Sequence, residues 1–215
     1  MLTRTRGVVL ALAGLSLAAC GAVNPGSAAV VDGESISMRT LDRTATAYCE
    51  LTVNAARQQG VTSISNADVR RQAVVGLVSL RVARDLADAE GLTIAPSGYE
   101  LTSAQRDQIT TAFPDGDVDE IARAIEDSQE VSAIAVALAE RQAGQQATTE
   151  NEQQLAELGQ KTILAAFRSS DVSFAPRFGL DPDGQPRADT GSISVSPVDL
   201  EAPVAEELPT DQRCS

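Results

Sequence analysis

The chain has 215 residues, 30 acidic against 17 basic and no histidine, for a formal charge of −13 at neutral pH. That balance repels nucleic acid and anionic headgroups, and 3 % aromatic residues with no tryptophan leave few side chains for base stacking or sugar platforms. Lack of histidine removes the commonest general base, the commonest metal ligand and every histidine-based triad.

Arg4 and Arg6 precede an uncharged run from residue 8 to 19, the length of a signal-peptide core and too short to span a bilayer. The run ends in Leu17, Ala18, Ala19 and Cys20, which resembles the bacterial lipoprotein signal. The resemblance implies that residues 1–19 are removed and that Cys20 becomes a diacylglyceryl-bearing N-terminus, anchoring the protein on the extracytoplasmic face of the cell membrane. Several acyl chains on one residue, palmitate among them, hold a protein far better than one chain. Residues 20–28, with Asn24, Pro25, Gly26 and Ser27, read as the lipidated cysteine and its tether.

Residues 29–37, AVVDGESIS, read as a hairpin around Asp32-Gly33. Ser37 caps a predicted helix from residue 38 to about 59, stopped by Gly60, with Leu41, Ala45, Tyr48, Thr52 and Ala55 on one face. Ser65 starts the next helix, 66–90, whose middle, AVVGLVSLRVA, is apolar nearly all round and suits the centre of the fold. Ser97 and Glu100 form a capping box for a helix to about 112. DGDVDE then opens another, with acids suiting the positive helix end and Val131, Ile134, Ala135 and Leu138 at helical spacing. Thr149 and Glu152 cap the last helix, which carries Leu155, Leu158, Ile163 and Phe167. Val172 and Phe174 alternate with polar or small residues as in a short strand. Residues 181–215 hold five of nine prolines and many acids, and read as a solvated tail.

The order of hairpin, capped helices, terminal helix and final strand resembles the N-terminal domain of the SurA-type extracytoplasmic chaperones and the lipid-anchored PrsA foldases. AVVDGESISMRTLD (29–42) and DVSFAPRFG (171–179) carry the resemblance. It implies a mostly α domain over residues 29–180, with the last strand pairing onto the N-terminal hairpin. It also implies binding of unfolded or secreted polypeptides without ATP. The foldases insert a parvulin domain; here the short helical stretch 91–149 lacks its histidines, so isomerase activity is not carried over. No peptide-binding residue transfers, and the helices equally allow a structural lipoprotein with one folded partner.

Cys49 and Cys214 remain beyond Cys20, and outside the cytoplasm an even pair reads as a disulfide. Asp115, Asp117, Asp119 and Glu126 echo EF-hand ligand positions 1, 3, 5 and 12, but Glu120 stands where that loop needs glycine and Arg123 occupies a ligand position. Helix-start acids explain the same residues, so no metal, cofactor or catalytic residue is assigned. The lone lysine, Lys161, has no motif around it. The expectation is a non-enzymatic protein.

Overall fold

A computed structural model describes residues 25–187 and 208–214. The first strand, β1 (Ser27–Val31), turns through Asp32 (φ 49°) and Gly33 (φ 86°) into β2 (Glu34–Ser37). Positive φ at both turn positions matches the right-handed twist of the strands, so Asp-Gly sits where it costs least. The tether read over 20–28 is corrected at its end. Ala28 is wholly buried, and the Gly26 carbonyl accepts from the Met38 amide at 2.7 Å, so the folded part begins before residue 29.

Five α-helices follow among the described residues. α1 (Met38–Arg57) starts under the Ser37 hydroxyl, which accepts from the Thr40 amide at 3.0 Å. Its buried residues are Leu41, Ala45, Ala47 and Val53, while Ala55 is exposed and Thr52 half-buried. The face differs from the expected one because α1 packs on two sides. Leu41 and Ala45 join the main core, and Ala47 packs with Ile109, Ile121 and Ala124. A two-residue strand, β3 (Ile64–Ser65), leads into α2 (Asn66–Ala89), capped by Ser65. α2 touches α1, β1 and both later long helices, which is why its apolar residues surround it.

The expected capping box at Ser97 and Glu100 is corrected. Pro96–Gly98 forms a single 3₁₀ turn, and α3 (Ser103–Ala112) begins later under a reciprocal box of Thr102 and Gln105. Both boxes have the right spacing; the second wins because Glu126 holds the Leu101 amide at 3.0 Å and fixes the chain just before it. α4 (Val118–Ala143) is capped by Asp117 and ends at Gly144 in the left-handed conformation (φ 63°). α5 (Glu152–Ser169) is not capped by Thr149 as expected; residue 151 is its N-cap position and makes no side-chain cap bond. The Asn151 side chain instead accepts from the Thr148 amide and hydroxyl, closing the preceding turn.

β4 (Val172–Phe174) then pairs antiparallel with β1, Ala29 opposite Phe174 and Val31 opposite Val172, giving the order β2-β1-β4. The molecule is thus mostly α, with its hairpin joined by a C-terminal strand. The largest core gathers sheet residues Ala29, Val31, Val172 and Phe174 with Leu41, Val74, Val78 and Phe167. Fully burying a valine, leucine or phenylalanine side chain stabilises by roughly 1.5–3 kcal/mol.

The solvated tail expected over 181–215 is corrected at both described ends. Pro186 bridges back to Leu180, and Gly184 is buried where a side chain would meet Val75 and Phe167. β5 (Arg213–Cys214) pairs antiparallel with β3, and Cys214 packs with Val53 and Val69. Acidic composition did not prevent docking because backbone pairing and two or three apolar contacts are enough to hold such short pieces.

Candidate functional site

α4 carries two stripes. Ile134, Ala135 and Leu138 are buried with Ala83 and Ala87 of α2 and Ile163 of α5. The turn of the helix places Gln129, Ser132, Ala133, Val136, Ala137 and Glu140 together on a second face. That face is the floor of an open groove of about 720 Å³. One wall is Thr93, Ile94, Ala95 and Gly98, from the 3₁₀ turn and the chain before it; the other is Thr149, Glu152, Gln153 and Ala156 at the start of α5. Small side chains make the depression: alanine at 133, 137 and 156 leaves backbone and Cβ atoms as its apolar surface, with Val136 and Ile94 the largest apolar groups.

Four contacts hold the walls. Gly159 of α5 lies against the Ala135 carbonyl of α4, so these helices meet closely below the groove. Gln142 and Thr162 bond side chain to side chain at 3.1 Å across the same pair. At the far end Arg141 donates to the Glu90 carbonyl and faces its carboxylate at 3.6 Å, tying α4 to the end of α2. Glu140 accepts from the Ala147 amide and folds the α4–α5 connection over the groove's edge.

A second cavity, about 270 Å³, lies among α1, α2, α4 and α5 and is lined by Tyr48, Gly76, Leu80, Asp127, Ser128 and Gln160, among others. Burial pushes the Asp127 carboxyl above its ordinary range; Arg84 and Arg123 pull it back only in part, and Glu130 and Glu126 push further. Burial also raises the Tyr48 phenol, with Asp127 adding to it. Arg84 forks onto Glu130 at 2.8 and 2.5 Å and lies 3.7 Å from Asp127. A third depression, about 290 Å³, is lined by Cys49, Glu50, Arg57, Phe113 and Gly116, and partial burial raises the Glu50 carboxyl, with Asp117 adding to it.

Cys49 and Cys214 are joined in a disulfide with Cα atoms 5.6 Å apart, in the usual range for a bridge. Cys20 lies outside the described residues. The acids echoing a calcium loop are dispersed. Asp117 caps α4 through the Glu120 amide, Asp119 faces Arg106 at 3.7 Å, and Glu126 takes the Leu101 amide and Arg106. Among the described residues no group of three or more histidines, cysteines or acids could hold a metal ion.

The helical spacing at 131–138 marked the core stripe. The groove stripe, 129 to 140, carries the same spacing in small residues. Its signal was the run of alanines on α4 that the core face did not use. No protein-family model, no curated protein and no solved structure matches this chain.

Proposed function

We propose that this chain is a lipid-anchored, extracytoplasmic, chaperone-like protein that holds short apolar segments of unfolded or secreted polypeptides in the α4 groove, without ATP or isomerase chemistry. The observation that carries the reading is the groove itself. It is open, of a size that takes a short segment, and lined by small apolar groups interleaved with polar side chains. Such small groups give apolar contact with little selectivity among small side chains, and the acidic exterior keeps a complex soluble. The anchor rests on Leu17, Ala18 and Ala19 before Cys20.

The test uses residues 21–215 with a denatured client of unrelated sequence, followed by light scattering. Suppressed aggregation at near-stoichiometric amounts, absent with an equally acidic control protein, supports the reading. Full aggregation beside a chain that circular dichroism shows to be folded defeats it. For the anchor, Cys20→Ser moves the protein out of the membrane fraction, and an unchanged distribution counts against lipidation.

A second reading, an interaction lipoprotein with one folded partner, is favoured by a separate observation. Among the described residues the exposed large apolar side chains are only Val61, Leu158 and Leu164. A promiscuous holder of long unfolded chains usually offers a wider apolar surface. A membrane pull-down that recovers one protein in fixed ratio, with no effect on client aggregation, selects this reading.

A further inference from the structure

We infer that the segment taken by the α4 groove is cationic: a short stretch of small apolar residues flanked by lysine or arginine. The inference rests on the groove being the polypeptide-binding site proposed above, and it names the class of segment bound there.

The argument is one of charge. Two carboxylates, Glu140 and Glu152, line the groove, and among the described residues no lysine or arginine lines it. The start of α5 forms one wall, and a helix N-terminus carries roughly half a positive charge. Glu152 sits in that first turn with a full negative charge, which outweighs it. The nearest arginine in sequence to the Glu140 end, Arg141, is drawn off by the carbonyl and carboxylate of Glu90. The field at the rim is therefore negative, and the charge of −13 over the chain adds to it at long range.

The floor supplies the other half. Ala133, Val136 and Ala137 of the floor, with Ile94 and Ala156 of the walls, offer small apolar surface. Alanine and valine fit it, with the cationic ends reaching the two glutamates. An acidic segment of the same shape would bring like charge to the two glutamates.

The experiment uses the full chain in a non-ionic detergent and three fluorescein-labelled synthetic peptides. Each has the same alternating alanine–valine centre, flanked by two lysines, two glutamines or two glutamates. Fluorescence anisotropy gives the affinities, and a photoreactive group in the centre gives the location. The expected order is lysine over glutamine over glutamate. Exchanging glutamine for lysine should gain, and Glu152→Lys should lose, about five- to tenfold for the lysine peptide, with little effect of Glu152→Lys on the glutamine peptide. The lysine advantage should shrink as salt rises. Ala137→Trp should abolish binding of both by filling the floor, and cross-links should fall on residues 94, 136 or 156.

Equal affinity for the three peptides, with cross-links in the groove, overturns the charge class and leaves the groove reading standing. Cross-links outside the groove, or no binding by a chain that still suppresses client aggregation, overturn the groove and this inference with it. A lysine preference that survives Glu152→Lys unchanged also overturns it. The cross-link map does not depend on any variant folding.

Discussion

Gly159 of α5 faces the backbone of Ala135 in α4 so closely that a Cβ at 159 would overlap the Ala135 carbonyl and lie 2.7 Å from its Cα. Alanine is ordinarily worth about 1 kcal/mol more than glycine inside a helix. Here the obstacle is backbone, which cannot rotate away, so the helices must separate. Overpacking of this kind costs roughly 1–3 kcal/mol. Gly159→Ala is expected to lower Tm by several degrees in a thermal melt, at about 2–4 °C per kcal/mol for a chain of this length. Equal or higher stability would show that the two helices are not held at this point.

The disulfide gives a second expectation. Cys49 and Cys214 close a loop of 165 residues in sequence, which restricts the unfolded chain strongly. Cys214→Ser is expected to cost about 2–4 kcal/mol. In the folded protein these two thiols should take up alkylating reagent only after reduction. Modification at either position without reductant would contradict the bond.

Asp32 ties the hairpin to the far end of the domain. Its amide donates to the Asp171 carbonyl at 3.0 Å, and its carboxylate accepts from the Asp171 amide at 2.9 Å. The residue also holds a left-handed conformation that aspartate and asparagine tolerate well. Asp32→Ala should destabilise by about 1–2 kcal/mol, through a lost hydrogen bond and backbone strain. Asp32→Asn keeps an acceptor and the tolerance, so urea unfolding should show most of the loss recovered.

Asp127 makes stability depend on pH in a defined direction. Its carboxyl lies above the ordinary aspartate range in the folded state because burial penalises the charge. The folded protein therefore binds this proton more tightly than the unfolded chain. The penalty is fully present above the raised value and disappears as pH falls through it toward the ordinary range near 4. Asp127→Asn removes the penalty at neutral pH while Arg84 keeps Glu130. The variant should melt higher than wild type at pH 7, and the gap should close as the pH is lowered to about 4. A gap that widens on acidification would mean that the Arg84 contact outweighs burial.

Much of this fold could be read from residue order. Ser37, Ser65 and Asp117 each start the helix their spacing suggests, because a side-chain oxygen before an apolar run satisfies local backbone whatever surrounds it. Thr102 was missed in favour of Ser97, since the choice between two valid boxes is made by Glu126, more than twenty residues away. Thr149 failed for a local reason, as Asn151 uses its side chain on the preceding turn. The pairing of residues 213–214 with 64–65 left no period to read in so short a strand. The groove was the least legible part. Its floor is alanine, which suits a packed interior and an open surface equally well, and only the positions of residues 93–98 and α5 decide between them.

The central strand of the sheet has a further consequence in time. β1 has β2 beside it within a few residues, but its other neighbour, β4, lies some 140 residues later. Emerging N-terminus first, from the ribosome or across the membrane, the chain leaves that edge waiting until those residues have followed. Throughout that interval Ala29 and Val31 belong to a two-stranded ribbon with one open side, a state of marginal stability on its own. The newborn chain thus passes through a stage in which its own first strand is the kind of exposed edge that other chains can join.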